Sequence, residues 1–155
     1  MKTNEKNIEV LNDLIQINND RATGYEKAAK ETEAVDQDLR TIFNSLASES
    51  RTYANELSRY VNQQGGTPTD STTVSGKLYR VWMDVKATFS GKDRKAILES
   101  CEYGEDAAQK TYKEALKADT DNRLSPDVRH VIEEQKNKLK SSHDRIKMLR
   151  DAQPA

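Results

Sequence analysis

The side chains best suited to chemistry in this sequence are carboxylates and one histidine: Glu26, Glu49, Glu102, Glu105 and His143. Carboxylate oxygens and imidazole nitrogens are donors that iron or manganese accepts. A dinuclear centre inside a helix bundle takes one Glu from each of two helices and a Glu-x-x-His pair from each of the other two, all facing inward at one level. The spacing here departs from that pattern. Thr52 stands three residues after Glu49, where His is needed, and Lys140 stands three before His143, where Glu is needed. A lysine at that position opposes a nearby cation. Counted down from the bundle end that holds the first turn, Glu26, His143 and Glu102 fall at about 6, 7 and 9 residues, so these three are expected to converge on a single iron or manganese ion. Glu105 and Glu49 fall at about 12 and 14 residues, roughly 10 Å lower for Glu49, opposite Asn18 and Asn19. The structural reading is preferred over the metal one. Charged residues make up 33% of the chain, and a Glu on a stripe edge ordinarily pairs with a neighbouring Arg or Lys or reaches water.

Other chemistries find less support. Cys101, the single cysteine, excludes an internal disulfide and a Cys-rich zinc site. It sits between Ile97 and Ala108 with no His or Arg beside it, which reads as a buried, unreactive thiol. Gly65-Gly66 follows a helix and precedes Thr67-Pro68, the wrong context for a phosphate loop. There is no G-x-S-x-G, and two histidines offer no Ser-His-Asp set. His130 reads as a surface residue. With 25 basic and 26 acidic residues the net charge is −1, which lacks the electrostatic footprint of a general nucleic-acid binder. The Lys and Arg residues of the last segment are interleaved with Glu133, Glu134, Asp144 and Asp151, as on a solvated helix face. The opening MKTNEKNIEV has no apolar h-region, and no stretch approaches the ~18 apolar residues of a membrane span. A cytoplasmic protein with no membrane and no nucleic-acid partner is expected.

The elements that must position these residues are helical. A chain of 155 residues fits one domain, 1–155, and three Pro with six Gly are too few for a turn-rich all-β fold. Apolar residues at steps of three and four run through Ile8, Leu11, Leu14, Ile15, Ala22, Tyr25, Ala28 and Ala29, with Asn18 and Asn19 interrupting the middle. A second stripe passes through Leu39, Ile42, Phe43, Leu46, Tyr53, Leu57, Tyr60 and Val61, and Gly65-Gly66-Thr67-Pro68 ends it. Ile97, Leu98, Cys101, Ala108, Tyr112, Ala115 and Leu116 mark a third helix. Ser125-Pro126 opens the fourth, which carries Val128, Val131, Ile132, Leu139, Ile146 and Leu149. Short turns at 33–34 and 119–124 pair these helices into two antiparallel hairpins. The segment 65–92 between the hairpins holds one shorter helix, from Val74 to Phe89, and is long enough to climb the bundle. Two hairpins and one long crossover make an all-α, ferritin-like four-helix bundle rather than an up-down-up-down one. On the crossover, Tyr79, Trp82 and Met83 are residue types enriched in interface cores, so a homodimer is expected to form through them. Packing of Trp82 onto the bundle is the simpler account of that residue.

The chain also resembles a family of uncharacterised bacterial proteins with a ferritin-like four-helix bundle, a domain of unknown function. The resemblance is carried by Gly24-Tyr25 with Ala28-Ala29, by Leu39, Phe43 and Leu46-Ala47, and by Gly65-Gly66-Thr67-Pro68. Arg80-Val81-Trp82-Met83-Asp84 and Cys101-Glu102-Tyr103-Gly104-Glu105-Asp106 complete it. It implies the fold and a bacterial origin, and it implies no activity. Three functional readings follow from the residues. The first is a non-catalytic bundle that acts through protein contacts as a homo-oligomer, requiring no cofactor. The second is an iron- or manganese-binding bundle with oxidoreductase or metal-handling chemistry at a degenerate carboxylate/His site. The third, a binder of a small ligand between helices, rests only on the polar break at Asn18 and Asn19.

Overall fold

The computed structural model describes residues 2–32, 36–69, 94–117 and 124–153. Four helices occupy nearly all of them: α1 (Lys2–Glu31), α2 (Gln37–Gln63), α3 (Arg94–Lys117) and α4 (Pro126–Asp151). At 24 to 30 residues these are rods of about 36–45 Å. The stripes read from the sequence face inward. Leu11, Leu14, Leu39, Phe43, Leu57, Ile97, Leu98, Val128, Ile132 and Ile146 are all fully buried.

Contacts at the two ends fix the topology. Asn7, early in α1, donates to Gln64 past the end of α2 at 3.2 Å and accepts from the backbone N–H of Ser125 ahead of α4 at 3.3 Å. At the opposite end Arg94, the first residue of α3, pairs with Asp36 and Asp38 at the start of α2, at 3.1 and 2.7 Å. Helix α2 therefore finishes at one end of the bundle and α3 starts at the other. The connection between them joins opposite ends, and α2 and α3 run parallel. This is the ferritin-like connectivity. The helix expected over Val74–Phe89, with Tyr79, Trp82 and Met83, lies outside the described residues. Among the described residues no helix is long and apolar enough to cross a membrane.

The core is divided along the bundle axis. One apolar cluster gathers Val10, Leu11, Leu14, Leu57, Val61, Val128 and Ile132 at the end where α1 begins. Another gathers Ala28, Leu39, Phe43, Ile97, Leu98 and Ile146 at the end where α1 finishes. Between them lie buried polar side chains: Asn18, Arg21, Ser50, Glu105 and Gln135. Each apolar side chain contributes ~1.5–3 kcal/mol through burial, whereas the polar layer is tolerable only if its donors and acceptors find partners.

The helix ends follow the local chemistry of the sequence. At the end of α2 the N–H of Gly66 bonds to the carbonyl of Val61 at 3.0 Å and that of Gly65 to Asn62 at 3.1 Å. This is a Schellman closure, and it requires the left-handed φ of +83° found at Gly65. Gly66 is needed for a different reason: a Cβ there would meet the side chain of Ile8 at 2.9 Å. Ser125 holds an extended backbone ahead of Pro126 and accepts from the N–H of Arg129 at 2.9 Å, although its hydroxyl makes no cap bond. Replacement Gly65→Ala places a Cβ in the left-handed region and is expected to lower unfolding free energy by about 1–2 kcal/mol, measured by urea denaturation followed by helical circular dichroism.

Candidate functional site

The polar layer between the two apolar clusters has two tiers, and each tier draws on all four helices. In the first, Asn18 of α1 donates to the Tyr112 hydroxyl of α3 at 2.7 Å, and that hydroxyl donates to Gln135 of α4 at 2.7 Å. Gln135 in turn donates to Glu56 of α2 at 2.9 Å and to the Tyr53 carbonyl at 3.4 Å. Burial, the main influence on Tyr112, raises its phenol well above the ordinary range, so the hydroxyl stays neutral and keeps its proton for Gln135.

The second tier centres on Arg21, which is fully buried. Its Nε and Nη2 form a fork on the two oxygens of Glu105, at 2.5 and 3.0 Å. Nη1 donates to Ser50 Oγ at 2.7 Å and to the Leu46 carbonyl at 3.3 Å, and pairs with Glu49 at 3.1 Å. Glu49 also accepts from Ser142 of α4 at 3.1 Å. Below, the guanidinium lies 5.2 Å from the centre of the Tyr25 ring, a cation–π distance. Burial works against the charge on Arg21, but Glu105, with smaller contributions from Tyr25 and Glu49, outweighs it and keeps the guanidinium protonated, its pKa raised. The same surroundings act on Cys101 and Tyr25. Burial first, and the Glu105 carboxylate second, push both groups well above their ordinary values.

The structure places the sequence-predicted site residues in three groups. Glu49 and Glu105 share one level near Asn18, as the residue count predicts, but the cation between them is Arg21. Glu26 is half-exposed on the outer face of the first hairpin, where it accepts from Arg51 at 2.6 Å; it does not join Glu102 and His143. Those two do come together, with Asp106. One donor atom from each of Glu102, Asp106 and His143 lies within 4.8 Å of the other two, the one such group of metal-type donors among the described residues. His143 Nε2 is 2.5 Å from Asp106 Oδ1, and its Nδ1 is 3.1 Å from Asp144. Glu102 is ion-paired with Arg150. Partial burial disfavours the imidazolium of His143, but hydrogen bonds to Asp144 and Asp106 prevail and raise its pKa.

Arg21, Ser50, Gln135 and Ser142 are not found by reading apolar periodicity. The signal for Arg21 is its spacing. Leu14, Asn18, Arg21 and Tyr25 step by four, three and four, so the stripe continues through the polar break and carries an arginine into the core.

The family model described as Domain of unknown function (DUF2383) matches residues 6–118. No curated protein matches the chain. Among solved structures it is similar to a point mutant of Mycobacterium smegmatis Dps1, with a TM-score of 0.79 and 11% sequence identity. The similarity covers 96% of this chain and 97% of that one, and it establishes the ferritin-like fold.

Two outcomes are expected. Glu105→Gln leaves the Arg21 charge buried without its main partner and should lower stability by about 3–5 kcal/mol, whereas Glu26→Gln, at an exposed pair, should change it by about 0–1 kcal/mol; urea titration compares them. Cys101 ionises more easily unfolded than folded, so its contribution is complete at neutral pH and is lost as pH rises past the ordinary thiol value of 9.0. Thermal midpoints recorded from neutral to alkaline pH should fall less steeply in Cys101→Ala, and native Cys101 should resist a thiol reagent that labels the unfolded chain.

Proposed function

The chain belongs to the DUF2383 family, and on that premise we propose that it is a single-domain, non-catalytic ferritin-like bundle that works through protein contacts as a homo-oligomer. The observation that carries this reading is the Arg21 guanidinium. It stands between Glu49 and Glu105, at the level where a carboxylate-bridged metal centre would need those two acids. Both carboxylates are committed to a fixed positive charge that is itself fully buried. An ion entering at that level meets a guanidinium that has nowhere else to go. The pairs Glu49/Thr52 and Lys140/His143 also lack the second half of the Glu-x-x-His pattern.

Support for contacts between chains comes from residue types. Tyr79, Trp82 and Met83 sit together in the connection between the hairpins, and Tyr103 and Met148 are exposed on α3 and α4. Large aromatic and thioether side chains of this kind are enriched at interface centres. A homodimer is the smallest assembly that covers Tyr103 and Met148. This reading puts the protein in a bacterial cytoplasm.

The test is anaerobic ferrous loading of the full chain, desalting and exposure to oxygen, alongside sedimentation at high micromolar concentration. The expected result is a mass above that of the monomer and no oxygen-linked absorbance from a dinuclear ferric centre. A monomer at those concentrations, or iron whose retention is lost in Glu49→Gln, would overturn the reading in favour of an iron- or manganese-handling protein.

A further inference from the structure

Away from the bundle centre, Glu102 and Asp106 lie one helical turn apart on α3, and His143 faces them from α4. Two carboxylates at an i, i+4 spacing with an imidazole from the neighbouring helix offer three donors to one point. Their donor atoms lie within 4.8 Å of one another. First-row ions hold oxygen and nitrogen at about 2.0–2.2 Å, so donors around a single ion stand somewhat closer together than that limit. The 2.5 Å contact between Asp106 and His143 must open to admit an ion, and Asp106, which is exposed, has room to turn.

A second feature concerns the imidazole itself. Its Nδ1 faces Asp144 at 3.1 Å, while Nε2 is directed at Asp106. A ligating histidine typically gives its second ring nitrogen to a carboxylate outside the coordination sphere, which fixes both tautomer and ring orientation. Asp144 is placed for that role and is itself held by Lys140 at 3.0 Å.

We propose that Glu102, Asp106 and His143 bind one divalent first-row transition ion of the zinc type, with water completing its coordination, and that the ion cross-links α3 to α4. The site is separate from the Arg21 layer and independent of the assembly reading. The donor set selects the class of ion. Calcium takes six to eight oxygens, more than two carboxylates supply, and copper(I) prefers sulfur. Arg150 is the internal competitor. Its guanidinium is on Glu102, but it also holds Asp151 at 2.8 Å, which gives it a second seat when Glu102 turns to an ion.

The experiment is titration of the chelator-stripped full chain with zinc(II), read by calorimetry and by thermal midpoint, with cobalt(II) absorption as a reporter of nitrogen and oxygen ligation. One ion per chain is expected, with a midpoint that rises with zinc concentration. His143→Ala and Asp106→Asn should each weaken binding at least ~10-fold, and Asp144→Asn should weaken it by roughly 10–100-fold. Arg150→Ala should tighten it, and His130→Ala should leave it unchanged. Asp106 and Asp144 are exposed, so their variants test ligation without threatening the fold. Absence of saturable zinc binding, affinity unchanged in both His143→Ala and Asp106→Asn, or binding lost in His130→Ala instead would overturn the proposal.

Discussion

A guanidinium sealed inside a helix bundle has no route to water, and its neighbours must replace everything water would have given it. Desolvating one unpaired charge costs more than any single apolar contact returns. Arg21 meets that demand with a forked pair to Glu105, a second carboxylate from Glu49, and neutral acceptors from Ser50 and the Leu46 carbonyl. These partners come from α2 and α3, and Glu49 is tied to Ser142 of α4. One side chain thereby sets the register of all four helices. Apolar stripes alone tolerate a slide of three or four residues, because another Leu or Ala then meets the neighbour. The ionic tier does not, since a one-residue slip moves a side chain by ~1.5 Å along the axis and turns it by ~100°.

The same layer fixes the protonation of its surroundings. Tyr25 lies under the guanidinium and Cys101 packs in the adjacent apolar cluster, and both are held in their neutral forms by burial and by the Glu105 charge. Tyr112 keeps its proton for Gln135. At neutral pH the interior therefore contains a permanent cation, its carboxylates and a set of neutral donors. A nucleophile or a general base poised near neutrality requires the opposite arrangement. The centre of this bundle is built to hold position.

The amphipathic helices were legible because apolar spacing reports directly which face is buried, and the glycine pair after Val61 reported its turn because only a left-handed residue closes that cap. Levels were legible too, since axial rise is constant along a helix: Glu49 and Glu105 do lie together. Rotation was less legible. Glu26 follows the buried Tyr25 by one position, and that single step of ~100° carries it to the outer face and Arg51. The identity of the central cation was hidden for a different reason. Periodicity assigns long charged residues to the solvent side, so the stripe reads as interrupted at Asn18 and Asn19. Asn18 and Arg21 continue the core there with hydrogen-bonding side chains.

A metal ion and a buried arginine solve the same mechanical problem, since each holds inward-facing carboxylates from different helices around a positive charge. They differ in what else they permit. An ion exchanges ligands, changes oxidation state and lowers the pKa of bound water. A guanidinium does none of these; it has no vacant position and remains charged at every accessible pH. With Arg21 in the centre, Glu49 and Glu105 are committed to that structural task. Among the described residues, the group of metal-type donors outside that layer is on the α3–α4 flank, where Glu102, Asp106 and His143 come together.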